Sequence, residues 1–475
     1  MSILQRYTAL RDYVAKNFSS TTVEMVDHAL RFADEHLSEY ERYDHTPMLD
    51  HGVGVAHIVI KDIGLGRNSA IASIIHDVVR IAIQQSQPTE ELFNAIRHDY
   101  GEEVLGIVLA LCKISDIKLK VSKEQASDFR DMIVSYSEDP RVILIKLADR
   151  LEVMRSLDIF PEAKRRTKSW ESLNLYAQIA HKLGLYAIKS ELEDLSLKYL
   201  EPEAYNHIVH ELKESEKERM AFIEEFLKPI RELLDRDGLK YHIKSRTKSV
   251  FSIYQKMKKQ KCPFEGVYDL FAIRIILDSE YEKEKQECWQ VYSIVSDMYM
   301  PNPKRLRDWL SVPKSNGYES LHTTVMGPEG KWVEVQIRTE RMDDIAERGF
   351  AAHWRFKGVK GESGLDEWLA TIRETLEHAG SDLEVMDQFK LELYEDEVFV
   401  FTPKGDLFKL PKGSTVLDFA YSIHTKLGSK CIGAKVNGKN VQLRQQLNSG
   451  DQVEIMTSNI QTPKQDWLNI VTTSK

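Results

Sequence analysis

The chain has 475 residues, which at roughly 150 residues per domain implies about three cores. Hydrophobic residues at 42% and charged residues at 29% suit a globular protein able to bury cores of that size. Its 65 Lys and Arg against 74 Asp and Glu leave a formal charge of −9, which excludes a uniformly basic nucleic-acid coat and confines any polyanion site to a local cluster.

The opening MSILQRYTALRDYVAKNF lacks the apolar core of a signal peptide, and no window reaches the roughly 18 uninterrupted apolar residues of a membrane span. A cytoplasmic location with no membrane partner is expected. Residues 1–200 repeat apolar positions at three and four, as in Ile71, Ile74, Ile75, Val78 and Val79, and predict an all-α domain. Residues 201–238 are a charged helical connector whose stripe is Met220, Ile223, Phe226, Leu227 and Ile230, with Gly238 placed to stop it. The period then changes. VYDLFAIRIIL and KWVEVQIRT read as strands around the helix-like QECWQVYSIVSDMY, so 239–358 is α/β with a mixed sheet. A helical linker at 359–396 leads to 397–458, where short strands and the turns PKGD, LPKG and VNGK surround one helix. Residues 459–475 read as the start of a C-terminal region cut short. Cys112, Cys262, Cys288 and Cys431 form no C-x-x-C pair, so reduced, buried thiols are expected.

In the first region His51 opens an apolar helix, His76-Asp77 lies inside a second, and Asp149 falls in VILIKLADRLEVMRSL. Imidazoles and carboxylates from separate helices can close around a divalent ion such as Mn²⁺, although each residue alone reads more simply as a core histidine or a surface aspartate. Together, the order His, His-Asp, Asp resembles an HD-type phosphohydrolase, and LADRLEVMRSL is similar to the long RelA/SpoT homologues. Hydrolase-active members follow His-Asp-Val-Val with a glutamate and an aspartate that handle the attacking water. Here those positions are Arg80 and Ile81, and neither accepts a proton at neutral pH. Tyr43 stands where a basic residue is expected and Val153 where an asparagine is. The expectation is an HD domain that keeps the ligands His51, His76, Asp77 and Asp149 without hydrolysing.

In the central region KSRTKSVFSIYQKMKKQ clusters Arg246, Lys248, Lys256, Lys258 and Lys259, charges that suit a triphosphate or a solvated basic face. Asp269 enters the apolar strand DLFAIRIIL, where Mg²⁺ or an ion pair with Arg274 would balance it. Alternation in KWVEVQIRT buries Val333, Val335 and Ile337 and turns Glu334, Gln336 and Arg338 to the other face, beside His322 of SLHTTV. Upstream, RLRDWLSVPKSNGYESLH gathers Arg305, Arg307, Lys314, Asn316 and Tyr318, an aromatic with an amide and cations that fits a stacked purine.

The run R-x-K-x-x-x-S-I-Y-x-K-M, YDLFAIRI, PKSNGYESLHTTV, VEVQIRT and AERGFAAHW resembles the synthetase domain of the RelA/SpoT homologues, which is nucleotidyltransferase-like and makes the alarmones pppGpp and ppGpp in the stringent response. The resemblance implies that Arg246, Lys248 and Lys256 hold ATP phosphates, with Arg274 assisting. It implies Mg²⁺ at Asp269 and Glu334, the latter alternatively taking the ribose 3′-hydroxyl proton. Tyr318 would stack on guanine, and Lys314, Asn316, His322 and Gln336 would hold GTP or GDP beside the basic RLRD segment of Arg305 and Arg307. Ser245 replaces a common glycine, which narrows the approach to phosphate but removes no charge.

Residues 397–458, with AYSIHTKLG and CIGAKVNGK, resemble a β-grasp-like TGS domain. This implies contact with uncharged tRNA on the ribosome through His424, shared with C-terminal domains beyond the chain, or a docking module without RNA. The expected activity is a GTP pyrophosphokinase using ATP. The alternatives are a bifunctional or hydrolase-dominant alarmone pyrophosphohydrolase, and a non-catalytic ribosome- or tRNA-binding sensor.

Overall fold

The computed structural model describes residues 7–115, 139–267, 270–313, 318–348, 397–403, 407–448, 450–458 and 460–471, and the expected linker at 359–396 lies outside them. Two compact units divide the chain, Met1–Val385 and Met386–Lys475.

The first unit begins with helices α1 (Thr8–Asn17), α2 (Ser20–Leu37), α3 (Leu49–His57), α4 (Arg67–Gln84), α5 (Glu90–Tyr100), α6 (Glu102–Ser115) and α7 (Pro140–Arg155). Two of their starts carry side-chain caps: the Ser19 hydroxyl accepts from Thr22 N–H, and Asp139 caps a helix whose first residue is Pro140. Helix α4 is apolar nearly all round, so it is surrounded. Ile71, Ile74, Ile75, Val78 and Val79 are buried, with α2, α3 and α6 packed against the helix. Helices α8 (Glu162–Glu171), α9 (Ala177–Lys182), α10 (Tyr186–Leu200) and α11 (Pro202–Glu214) continue the chain toward the sheet.

There follow α12 (Glu216–Arg236), β1 (Tyr241–Thr247), α13 (Val250–Gln260), β2 (Phe271–Leu277), α14 (Glu284–Met298), β3 (Arg307–Asp308), β4 (Leu321–Met326), β5 (Trp332–Thr339) and α15 (Glu340–Arg348). The strands form one mixed sheet ordered β1-β2-β5-β4-β3, in which only β2 and β5 run parallel. One face is apolar: Ile273, Ile275, Val333, Val335 and Ile337 share a core with Phe226, Leu227 and Ile230 of α12 and with Val291 and Val295 of α14. The stripe expected in a connector is therefore part of the sheet's core, because an apolar helix face and a bare sheet face satisfy each other. Met220 departs from it at 49% exposed, and Gly238, at φ +69, ends the helix region as expected.

On the opposite face, register aligns polar side chains in rows. Lys244, Arg274, Gln336, His322 and Arg307 are successive partners across the five strands, and Arg246, Ala272, Glu334 and Thr324 form the adjacent row. Helix α10 packs near α13 and α15 and overlooks this face.

The second unit holds the hairpin β6 (Glu397–Phe401) and β7 (Leu407–Pro411), helices α16 (Val416–Ile423) and α17 (Thr425–Ser429), and strands β8 (Cys431–Val436), β9 (Lys439–Val441) and β10 (Val453–Thr457) in the order β10-β8-β9. Val400, Phe419, Ala420, Cys431 and Val453 are its core, and Thr415 with Asp418 forms a capping box on α16. The single expected helix is two, broken at His424 where the backbone becomes extended. All four cysteines are free thiols, but Cys262 is only half-buried because it follows the end of α13.

Candidate active sites

In the helical part, absent side chains allow close approach. A Cβ on Gly52 would lie 2.9 Å from the Ile74 carbonyl oxygen and one on Gly54 2.8 Å from Glu152 Cγ, so α3 can press onto α4 and α7. His51 and His76 thereby meet with ring centroids 5.6 Å apart, and ligand atoms of His51, His76 and Asp77 all lie within 4.8 Å of one another. Asp149, expected as a fourth ligand, places Oδ1 3.1 Å from His51 Nε2 while its other oxygen is bonded by Lys146. Glu152 bonds His51 Nδ1 and accepts from Arg42 at 2.9 Å.

Burial favours neutral rings here, and His76 is lowered accordingly. At His51 burial is outweighed by Asp149 and Glu152, which push it up to about 10. Asp77, although buried, is lowered to about 2 by His76 and Arg80. Arg80 Nε donates to Asp77 Oδ1 over 2.7 Å, and Asp77 Oδ2 has no hydrogen-bond partner among the described residues. A buried, orphaned carboxylate oxygen beside two imidazoles fits a divalent cation, so His51, His76 and Asp77 are the residues that would hold one.

The polar face of the sheet opens into a cleft of about 260 Å³. Arg246 comes from β1, Lys248, Ser249 and Ser252 from the start of α13, Arg274 from β2, His322 from β4, and Gln336 and Arg338 from β5; Trp309, Tyr318, Tyr186 and Ser190 close it. The N-terminus of α13 lies beside the same cations, with its first amides taken by Asp194 and the Ser249 hydroxyl.

Glu334 is the hub of one half of the site. Lys248 Nζ lies 3.0 Å from Oε2, Gln336 Nε2 donates to Oε1 at 2.8 Å, and His322 Nδ1 is 3.4 Å from Oε1. Burial alone would raise this carboxyl, but His322 and Lys248 together hold it well below the usual carboxylate range. The other ring nitrogen of His322 is 2.7 Å from the Tyr318 hydroxyl. Tyr318 is itself buried, with Tyr186 and Trp309 edge-on at centroid distances of 5.6 Å each. In the other half, Arg274 Nε donates to Gln336 Oε1 at 3.2 Å and Nη1 to Glu347 Oε1 at 2.5 Å. Burial and the neighbouring Arg274 lower Arg246, the mark of cations crowded with too little anion.

Of the expected residues, Arg246, Lys248, Arg274, Tyr318, His322 and Gln336 line one cleft, with Glu334 in contact with three of them, Lys248, His322 and Gln336. Lys256, half-buried on α13, is not among the lining residues. Arg305 and Arg307 are exposed at the sheet edge, where Arg307 Nη1 donates to the carbonyls of Lys304 and Leu306. Asp269, Lys314 and Asn316 lie outside the described residues. His424 caps α17, its Nδ1 accepting from Lys426 N–H. Sequence reading missed Tyr186 and Ser190, which reach the cleft from the helical part and lie in no quoted motif, and gave no role to Glu347, the glutamate of AERGFAAHW.

Three family profiles match in the order of these structures: "HD domain" over 29–186, "Region found in RelA / SpoT proteins" over 245–361, and "TGS domain" over 398–457. The chain belongs to the RelA/SpoT family. It is 39% identical to the guanosine-3′,5′-bis(diphosphate) 3′-pyrophosphohydrolase of Aquifex aeolicus, over 95% of this chain and 63% of that one. It is 40% identical to the GTP pyrophosphokinase of Myxococcus xanthus, over 90% of this chain and 56% of that one. With the bifunctional (p)ppGpp synthase/hydrolase SpoT of Escherichia coli K12 it shares 38% identity, over 90% and 60% respectively. The chain thus spans about three-fifths of the length of these curated relatives.

Proposed function

We propose that the chain is an ATP-dependent GTP or GDP 3′-pyrophosphokinase. The observation that carries this reading is the convergence of Arg246, Lys248, Arg274, Tyr318, His322 and Gln336 on one cleft around Glu334. The 3′-oxygen of the acceptor attacks the β-phosphorus of ATP, the bond from that phosphorus to the α,β-bridging oxygen breaks, AMP leaves, and the hydroxyl proton passes to a base. Little covalent work is asked of the protein beyond positioning and charge neutralisation. Arg246, Lys248 and Arg274 would take the phosphates, and Tyr318 with His322 and Gln336 the guanine nucleotide. Asp269 and Glu334 would hold Mg²⁺, which when bound neutralises phosphate charge. A carboxylate held as low as Glu334 is a poor base, so its ligand role is favoured over proton abstraction.

In the helical part His51, His76 and Asp77 would hold a divalent ion, which in a hydrolase activates water. With Arg80 and Ile81 in place of acids, no hydrolysis of ppGpp is proposed. A bifunctional enzyme is the second reading, favoured by the intact His-His-Asp group and by the hydrolase names of relatives. The TGS-like unit would serve tRNA and ribosome contact. Purified chain with labelled ATP, GTP or GDP and Mg²⁺ should form pppGpp or ppGpp. Incubation of ppGpp with Mn²⁺ should release no pyrophosphate; release abolished by Asp77→Ala would establish the bifunctional reading. Failure of both assays would leave the sensor.

A further inference from the structure

Asp77 is 1% exposed on α4, a helix buried nearly all round, beside the rings of His51 and His76. A carboxylate there is costly unless a cation balances it. The cation comes from the same helix. Arg80, three residues on, places Nε 2.7 Å and Nη2 2.6 Å from Asp77 Oδ1, with Nη1 directed to Gln84 Oε1 at 3.4 Å. Both close contacts fall on one oxygen, and Oδ2 is left buried with no hydrogen-bond partner among the described residues. Lys146 deals with Asp149 in the same manner.

We propose that Arg80 is a built-in cation that competes with a metal ion for Asp77, so that the HD cluster stays assembled without metal and admits one only when the Arg80–Asp77 pair loosens. A divalent ion ligated by Oδ2 would share its carboxylate with a fixed positive charge a few ångströms away, in a site with little water to screen the repulsion. Metal affinity is lowered for that reason, while the apo cluster is stabilised. The inference rests on the reading of His51, His76 and Asp77 as a metal site, and it stands whether or not the cleft transfers pyrophosphate.

The test is Mn²⁺ titration of the full chain, read by the electron paramagnetic resonance of free Mn²⁺ and by melting temperature, on wild type, Arg80→Gln and Asp77→Asn. Binding lost in Asp77→Asn is assigned to this cluster. The wild type, binding the ion weakly, should gain less in melting temperature from Mn²⁺ over EDTA than Arg80→Gln does. Arg80→Gln should melt lower in EDTA, recover with Mn²⁺, and bind the ion about tenfold or more tightly than wild type. A variant that folds only with Mn²⁺ supports the proposal as well. Equal or weaker affinity in Arg80→Gln, or a wild type that needs Mn²⁺ to stay folded, overturns it. Should the variant fold under neither condition, the wild-type comparison between EDTA and Mn²⁺ decides.

Discussion

Arg274 of β2 donates from Nη1 to Glu347 of α15 over 2.5 Å, a contact between residues 73 positions apart that sets a carboxylate against a guanidinium proposed to take phosphate. The same Glu347 oxygen is 3.7 Å from Arg246 Nη1. An anion bound by these arginines must therefore displace or share Glu347. Glu347→Gln should lower the KM for ATP severalfold in a steady-state assay of pyrophosphate transfer, with some loss of thermal stability as two cations lose a partner. A raised KM would mean that Glu347 orients Arg274 instead of competing with its ligand.

Tyr318, whose ring is proposed to stack on the acceptor base, meets His322 through its hydroxyl at 2.7 Å. Stacking on an aromatic is worth roughly 1–3 kcal/mol, so Tyr318→Ala should raise the acceptor KM about tenfold or more and leave that for ATP nearly unchanged. Tyr318→Phe keeps the ring and should stay close to wild type. Equal weakening toward both nucleotides would identify a structural tyrosine, held by Tyr186 and Trp309.

Asp194 of α10 accepts from Phe251 N–H at 2.7 Å, joining the helical part to the start of α13. Burial raises its carboxyl above the ordinary 3.8 despite hydrogen bonds from Phe251 and Val250. The folded state thus prefers the protonated form, and the contribution to stability is present below the unfolded pKa and lost as pH rises through the raised folded value. Asp194→Asn keeps an oxygen acceptor that cannot ionise. Its stability relative to wild type, from urea unfolding at a series of pH values, should increase across that window and level off above it. A difference independent of pH would contradict the assignment.

Phe226 is fully buried between α12 and the sheet, stacked on Tyr299 with centroids 4.6 Å apart. Phe226→Ala should cost about 3–5 kcal/mol in urea unfolding, the range for large core aromatics. A solvent-spanning connector would instead show a change within about 0.5 kcal/mol.

Local pattern was enough for the faces. Alternation in KWVEVQIRT put Val333, Val335 and Ile337 in the core and Glu334 and Gln336 on the site side, because a strand's side chains alternate wherever it is placed. The three-and-four period of Ile71, Ile74, Ile75, Val78 and Val79 likewise marked the helix that carries His76 and Asp77, but not that it is buried nearly all round. Motif order located the three family regions. Partners were another matter. That α12 belongs to the sheet core, that Tyr186 reaches the cleft beside Tyr318, and that Glu347 answers Arg274 all depend on strand register and helix docking between distant segments. Arg80 was legible as a missing acid, but its grip on Asp77 required the burial of α4, since only a carboxylate removed from water needs a guanidinium so close.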